Sequence, residues 1–544
     1  MFPRIKKSGK YQYLQIVENR RERGKTKQRV IATLGRLDRL QENGGIESLV
    51  KSLSRFSRKT MLVLTGSSNP KADAVTIGPP LIFERLWQHL NMPAILHELL
   101  EKRNFTFDVE RAVFLTVLHR LIDSGADRAC DRWRRDYRIA GTDELELHHL
   151  YRAMAWLGEP LRDQKDATPF APRCTKDRIE EELFRQKRNL FSELNLVFFD
   201  TTTLYFEGAG GEFIGQKGFS KDHRPDRNQM VVGVALDNNG RPLCCELWPG
   251  NTVDVRTLLP VTDRLRCRFS VTGCCFVADR GMVSKDTMKQ LEADKIPYIL
   301  GVRMRRVNEV KQEVLPQAGP FKAVYPEGTT TKVPDPLQVA EVVVNKRRYI
   351  VCLNPRQARK DAADRQAMIE KLKAEIPKGP KQLIGNKGYR KYLKINSKAV
   401  TLDRERIEAE AQFDGKWVLT TNTDWPADWV ALRYKELWRV EQAFRDIKSI
   451  FETRPIYHQR DETIRGHVFC SYLALVMRQE LDRHLEKSGY DFEWADIKQD
   501  LRNLQEVTIT EGNQSLVIRT ECVGCCGKVF QSVGVAIPPT IREL

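Results

Sequence analysis

The sequence predicts a mixed α/β core interrupted by a mostly β insertion, and three observations carry that expectation. Residues 195–303 read in the order strand, strand, strand, helix, strand, helix, strand. Two of those strands are short apolar runs that end in an acid, Asp200 and Asp279. The alternation then stops, and resumes only at a helical stretch from Ala431 that carries Glu441. On this pattern the chain divides into a basic β-rich element (1–60), a helical DNA-binding region (61–190) and the first part of the core (191–303). The insertion (304–422), the completion of the core with the Glu441 helix (423–455), and a C-terminal helical region with a β tail (456–544) follow.

At 544 residues the chain has room for several hydrophobic cores. Lys and Arg outnumber Asp and Glu by 90 to 72, and the excess is uneven: residues 1–60 hold sixteen basic residues against five acidic ones. A concentrated basic region favours nucleic acid or an anionic membrane as partner. No run of eighteen apolar residues occurs, and the basic start at Met1–Gln12 has no apolar stretch behind it. The expectation is a cytosolic protein without a membrane span. The twelve cysteines are scattered, several as adjacent pairs inside apolar runs, which suits reduced core thiols better than a disulfide framework. Cys522, Cys525 and Cys526 hint at zinc, but no second ligand pair follows at a suitable spacing.

In chain order, strands at 11–19 and 30–35 flank a strongly basic turn from Arg20 to Arg29, which suits a phosphate backbone as well as it suits solvent. From Pro79 to about Gly158 the apolar period becomes helical, notably over 81–103 and 109–123. Short helices in series fit a DNA-binding bundle, although no helix-turn-helix signature stands out. The stretch 124–137 is basic and holds Trp133, which fits a DNA contact or a surface turn.

The apolar strand ending at Asp200 is followed by three threonines and then a polar, basic loop at 217–228. That loop offers Lys217, Lys221, Arg224 and Arg227 to DNA or to solvent, and its His223 reads as a polar contact rather than a metal ligand. Strands 229–237 and 241–250 are joined by the tight turn Asn238-Asn239-Gly240. A helix over about 255–268 leads to the strand that ends at Asp279, then come a helix at 285–294 and a strand at 297–303. In the insertion, strand-like 341–353 precedes a charged helical run at 356–376, a Gly/Pro/Lys-rich break, and short strands ending at 416–422. Past the Glu441 helix the sequence predicts a long amphipathic helix at 463–485, a shorter one near 494–504, and a strand-like tail at 507–533.

The stretch 431–451 contains neither Pro nor Gly. At about 100° per residue, Leu437, Val440, Phe444, Ile447 and Phe451 form one apolar stripe, with Tyr434, Trp438, Glu441, Arg445 and Lys448 beside it. A carboxylate therefore sits at the edge of a core-facing helix, with phosphate-seeking groups above and below. Ligands collect at strand ends of α/β sheets. Asp200, Asp279 and Glu441, brought together, would make an oxygen-rich site for hard cations such as Mg²⁺. Each acid also has a plainer reading: a turn cap for Asp200, an ion pair with Arg280 for Asp279, and a solvated helix face for Glu441.

These residues resemble prokaryotic insertion-sequence transposases of the DDE class, in the branch with a β-rich insertion and the signature Tyr-x2-Arg-x3-Glu-x6-Lys. Tyr434, Glu441 and Lys448 match that signature in register, whereas Leu437 stands at the Arg position, with Arg439 and Arg445 as nearby replacements. The contexts DTTTLYF (200–206), KGFSKDHRPD (217–226), PGNTVD (249–254) and VADRGM (277–282) are also similar to the family.

The resemblance implies a ribonuclease-H-like core, as in retroviral integrases, with Asp200, Asp279 and Glu441 as catalytic residues holding two Mg²⁺ ions that Mn²⁺ can replace. It implies that Tyr434, Lys448, Arg445 and Arg439 contact DNA. The reaction would be hydrolysis at terminal inverted repeats, followed by attack of the exposed 3′-hydroxyls on target DNA. The expected assembly is a homodimer on double-stranded DNA, both transposon ends and target, in a cytoplasmic, nucleoid-associated protein. Some relatives cut the second strand through a hairpin with a flipped base stacked on an aromatic, for which Trp248 and Trp417 are the candidates here. Three rivals remain: a structure-selective nuclease on the same fold, a recombinase with Tyr434 as nucleophile, and a domesticated, non-catalytic DNA-binding protein.

Overall fold

The computed structural model describes residues 1–22, 25–54, 71–168, 171–187, 194–271, 273–325, 336–378, 391–395, 400–511 and 514–543. The chain separates into two compact units, one of residues 1–78, 499–527 and 536–544, the other of residues 79–498 and 528–535. The first unit opens with an antiparallel meander of β1 (Phe2–Ser8), β2 (Tyr11–Glu22) and β3 (Lys25–Arg36). Arg20 pairs with Lys27 and Glu22 with Lys25 across the second turn, so the expected basic hairpin forms; its tip at 23–24 lies outside the described residues. Two helices, Leu37–Glu42 and Gly45–Ser54, and strand β4 (Lys71–Thr76) follow.

The second unit begins with the expected helical series, Gly78–His89, Met92–Leu100, Val109–Ile122, Asp127–Trp133 and Leu147–Leu157, and adds helix Thr175–Lys187 beyond it. The Asp108 carboxylate caps helix Val109–Ile122 by accepting from the Arg111 amide at 3.0 Å. That helix packs with Leu147–Leu157 against the long helix Asp461–Lys487. A Cβ at Gly466 would lie 1.8 Å from the Met154 carbonyl oxygen, so only glycine allows this backbone approach.

The core is one nine-stranded mixed sheet. Its first strands are β5 (Leu196–Tyr205), β6 (Gln229–Asp237), β7 (Pro242–Pro249), β8 (Cys275–Ala278) and β9 (Tyr298–Val302). They lie in the order β7-β6-β5-β8-β9, with β5, β8 and β9 parallel and β6 and β7 antiparallel. The central strand β5 is covered on both faces, which explains why its first four residues, Leu196–Phe199, are all apolar. Val197, Phe199, Trp248 and Phe276 pack with Leu258, Val261 and Leu265 of helix Leu258–Phe269. Leu204, Met230, Val232 and Leu247 pack with Ile456, Ile464 and Val468.

The insertion extends this sheet. Strands β10 (Lys322–Val324), β11 (Leu337–Val344) and β12 (Arg347–Leu353) continue it beyond β9, and β13 (Leu393–Ile395) and β14 (Val400–Leu402) form a separate hairpin. Strand β15 (Lys416–Thr421) lies between β12 and β9 and joins the two parts. Helices Pro355–Glu375 and Arg404–Ala411 supply the remaining regular structure; the Gly/Pro/Lys-rich break at 379–390 lies outside the described residues. The chain then returns to the first unit with β16 (Gln505–Glu511), β17 (Gln514–Arg519) and β18 (Ile541–Glu543), which form the sheet β18-β17-β16-β4.

Four expected elements differ, the first being strand β5, which does not end at Asp200 but runs on through it to Tyr205. The stretch 431–451 is not one helix but Ala427–Lys435, Trp438–Arg445 and a π-turn at Asp446–Ile450. The break at Glu436–Leu437 tightens into i→i−3 bonds, Glu436 N to Arg433 O at 3.0 Å and Leu437 N to Tyr434 O at 3.2 Å. The first segment covers β8, β9, β11 and β12 while the second covers β5 and β6, and a twisted sheet requires that change of direction. The helix expected at 255–268 begins at Leu258, behind a 3₁₀ turn at Asp254–Arg256. The strand-like tail contains a helix, Cys526–Val533, whose buried Cys526, Val529, Phe530 and Val533 follow the helical period. All twelve cysteines are free thiols, and all but Cys267 and Cys522 are buried. Among the described residues, no helix is long and apolar enough to cross a membrane.

Candidate active site

Parallel pairing of β5 with β8 runs from Leu196 beside Cys275 to Phe199 beside Ala278, so the next residues on the two chains are Asp200 and Asp279. The Asp200 Oδ1 accepts from the Thr201 amide at 2.7 Å. Burial pushes the Asp200 carboxyl up to about 6, against the pull of Lys221 and with further pressure from Asp279 and Asp254. Asp279 caps the short turn Arg280–Met282, and Arg303 fixes that turn by donating to the Arg280 carbonyl at 3.0 Å and the Gly281 carbonyl at 2.8 Å.

Tyr434 reaches this strand end from helix Ala427–Lys435, and its hydroxyl donates to Asp279 Oδ1 at 3.0 Å. Burial, then Asp279, raises its phenol far above the ordinary range, so at neutral pH the hydroxyl keeps its proton and donates it to Asp279.

A third aspartate, Asp254, belongs to the same cluster. Its Oδ1 accepts from Thr201 Oγ1 at 2.8 Å, and its Oδ2 lies 3.2 Å from the Lys221 ammonium. A Cβ at Gly281 would stand 3.8 Å from both Asp254 Oδ2 and Asp279 Oδ2. Sequence reasoning passed over Asp254 as a site residue because it ends no strand, although the motif containing it was visible.

Glu441 projects from helix Trp438–Arg445, which packs against β5 and β6, and its side chain is exposed. Oxygen atoms of Asp200, Asp279 and Glu441 do not gather within 4.8 Å; among the described residues, only Asp127, His458 and His467 do so.

The basic residues divide into two kinds. Lys448 and Arg454 both hold Asp222 Oδ1, at 2.8 and 2.7 Å, and Asp222 is 5 % exposed. Burial lowers the Lys448 ammonium's proton affinity, with Asp222 opposing that shift. Lys217 donates to the Asp226 carbonyl, Arg224 pairs with Asp226 at 2.9 Å, and Arg227 pairs with Glu207 at 2.7 Å. Lys221 turns inward to the acids. Arg439 lies over Gly240 at the β6–β7 turn and 3.7 Å from Glu436, while Arg445 is exposed. Leu437, at the signature's Arg position, is buried in the apolar stripe.

A model of the transposase DDE domain matches residues 192–477, more than half of the chain. The chain belongs to the DDE transposase family. A model of the IS1634 family transposase N-terminal domain matches residues 3–67, the part that begins with the β1–β3 meander. No curated protein matches it. A transposase acts on DNA, and DDE transposases generally use divalent metal ions.

The transposase's acidic cluster suits such an ion on chemical grounds. It offers oxygen donors, and Lys221 pairs with Asp254 and draws on Asp200. The Asp127, His458 and His467 group suits one less well. Arg120 Nη2 lies 3.0 Å from His467 Nδ1, so the guanidinium already occupies the place of a cation. His458 Nε2 lies 3.1 Å from Asp127 Oδ2 and 3.2 Å from His467 Nδ1, while His467 Nε2 is 3.1 Å from the Thr453 carbonyl. This closed network ties the segment after the Glu441 helix to helices Val109–Ile122 and Asp127–Trp133. Of the aromatics considered for stacking on DNA, Trp248 is buried against Phe199 and Trp417 is half-buried on β15. The transposase's solvent-facing tryptophan is Trp438, 58 % exposed one turn before Glu441.

Proposed function

We propose that this transposase binds the terminal inverted repeats of an insertion sequence, cleaves phosphodiesters at its ends, and joins the 3′-hydroxyls to target DNA. The observation that carries this reading is the placement of Asp200, midway along β5, beside Asp279 just past the end of β8, where their parallel pairing stops, with Tyr434 donating to Asp279. The core order β7-β6-β5-β8-β9, three antiparallel strands followed by two parallel ones, supports a ribonuclease-H-like fold.

Asp200, Asp279 and Glu441 would hold two Mg²⁺ ions, or Mn²⁺, which would lower the pKa of an attacking water or 3′-hydroxyl and stabilise the leaving oxygen. The chain's own part is positional. Tyr434 fixes the Asp279 carboxylate, Arg303 fixes the turn behind it, and Thr201 fixes Asp254. Lys448 and Arg454 present positive charge beside the strand end, suited to a DNA phosphate. Arg439, Arg445, Arg224, Arg227 and Lys217 would extend that contact. A homodimer would pair the two ends.

The decisive experiment is strand transfer by the purified protein with Mg²⁺, using a labelled duplex from the DNA end that flanks its coding region. Joined products that vanish on Asp200→Ala and on Glu441→Gln, with end binding retained, are expected. Cleavage without joining would indicate a nuclease, and binding with neither reaction would indicate a non-catalytic DNA-binding protein.

A further inference from the structure

The Lys221 ammonium is held as a metal ion would be. It donates to the Thr201 carbonyl at 2.7 Å and lies 2.9 Å from Thr201 Oγ1 and 3.2 Å from Asp254 Oδ2. Two of the ammonium's three donors are met by Thr201, and the Asp254 carboxylate stands beside it as an ion pair. Its backbone is tied down too, because the Lys221 amide donates to Thr203 Oγ1 at 2.9 Å on the strand that carries Asp200. The side chain comes from the loop that reads as solvated, yet it is only 28 % exposed. Outside it stand Lys448 and Arg454, which share Asp222 and add positive charge next to it.

We propose that Lys221 is a tethered cation that neutralises the acids around Asp254 and Asp200 before metal arrives, and that it leaves this position when a divalent ion binds. Like charges repel strongly at these separations in a partly buried site. The ammonium on Thr201 and Asp254 and a divalent ion on the neighbouring Asp200 and Asp279 therefore oppose each other through charge, although they hold different oxygens. On withdrawal Lys221 joins Lys448 and Arg454, so that occupancy of the acids increases the positive charge presented to a DNA phosphate. Lys221 is thus a positioning residue that couples the state of the acidic site to the DNA-facing loop. This inference rests on the reading that Asp200 and Asp279 hold metal.

The test is calorimetric titration of Mn²⁺ into the full-length protein without DNA. Wild type, Lys221→Met and Asp200→Asn are compared, with far-UV circular dichroism to check folding. Removing the opposing cation should tighten Mn²⁺ binding about tenfold, the effect of one charge interaction of ordinary size. Without metal, Lys221→Met should melt below wild type, and saturating Mn²⁺ should remove that deficit. Lys221→Gln, which keeps a hydrogen-bond donor but no charge, carries the same expectation if the methionine variant does not fold. Unchanged or weaker Mn²⁺ binding in these variants would overturn the proposal while leaving the acidic site standing. If wild type and Asp200→Asn bind Mn²⁺ equally, the reading of the site itself fails, and this inference fails with it.

Discussion

The Tyr434 hydroxyl donates to Asp279 Oδ1 at 3.0 Å, which links the helix preceding Glu441 to the strand end at the acidic cluster. A hydrogen bond to a charged group contributes about 1.5–3 kcal/mol. Tyr434→Phe should therefore slow metal-dependent cleavage about ten- to a hundredfold while leaving DNA binding intact. Single-turnover cleavage of an end duplex measures this. Complete loss of cleavage, with a covalent protein–DNA adduct in the wild type, would instead support the recombinase reading.

Gly301 on β9 forms the floor beneath that contact. A Cβ there would stand 2.4 Å from the Tyr434 hydroxyl oxygen and 2.9 Å from the Arg280 amide nitrogen. Gly301→Ala should destabilise by about 1–3 kcal/mol, the ordinary cost of overpacking. It should also slow cleavage, because both neighbours belong to the site. Combining it with Tyr434→Phe removes the nearer clash and should recover part of the lost stability, though no activity. Thermal melts of the single and double variants give the comparison.

The acids were legible because apolar runs followed by Asp have a simple pattern, but only Asp279 lies just past a strand's last residue, since β5 runs on through Asp200 to Tyr205. The break between Tyr434 and Trp438 was not legible, since no Pro or Gly marks it. It arises from the sheet beneath, which is tertiary information. Helix Thr175–Lys187 was also missed, for the opposite reason. Its sequence is dense in charge and shows no apolar stripe, yet Lys176, Asp177 and Glu180 are buried in a network with Glu246, Arg264 and Arg268. In the basic loop the sequence revealed the charges but not their direction. Arg224 and Arg227 pair with neighbouring acids, whereas Lys221 turns to the site.

Asp222 restrains two cations that face the site. Asp222→Asn leaves Lys448 and Arg454 facing each other without their shared carboxylate. The cost should be about 2–3 kcal/mol, below that of breaking a fully buried pair, because Arg454 stays partly exposed. DNA affinity should move the other way. One more net positive charge beside the phosphates should steepen the salt dependence of binding by about one unit, and Lys448→Ala should make it shallower by a similar amount. Fluorescence anisotropy on an end duplex across a salt series reads both. Equal slopes in all three proteins would place DNA away from this pair.

His119 should make the helical region sensitive to acid. It is 2 % exposed in helix Val109–Ile122, with its ring 5.1 Å from that of Trp133. Burial lowers its proton affinity from the ordinary 6.5 to about 4; Arg120 pushes in the same direction, and Asp127 and Asp123 oppose it. The unfolded chain therefore takes up a proton near pH 6.5, while the folded chain resists it until about pH 4. The contribution to stability is complete above 6.5 and is lost as pH falls from there to about 4. The buried ring of His467, whose proton affinity is lowered even further, acts in the same sense. Asp127 is held below its ordinary 3.8 and so acts only at lower pH. Between pH 7 and 5 the His119 term amounts to about 2 kcal/mol, at 1.4 kcal/mol per pH unit below 6.5. His119→Gln removes the titrating group, so denaturant unfolding of the variant should lose about 2 kcal/mol less than wild type over that interval. Parallel pH profiles would mean that the imidazole is protonated in the folded protein, against its burial.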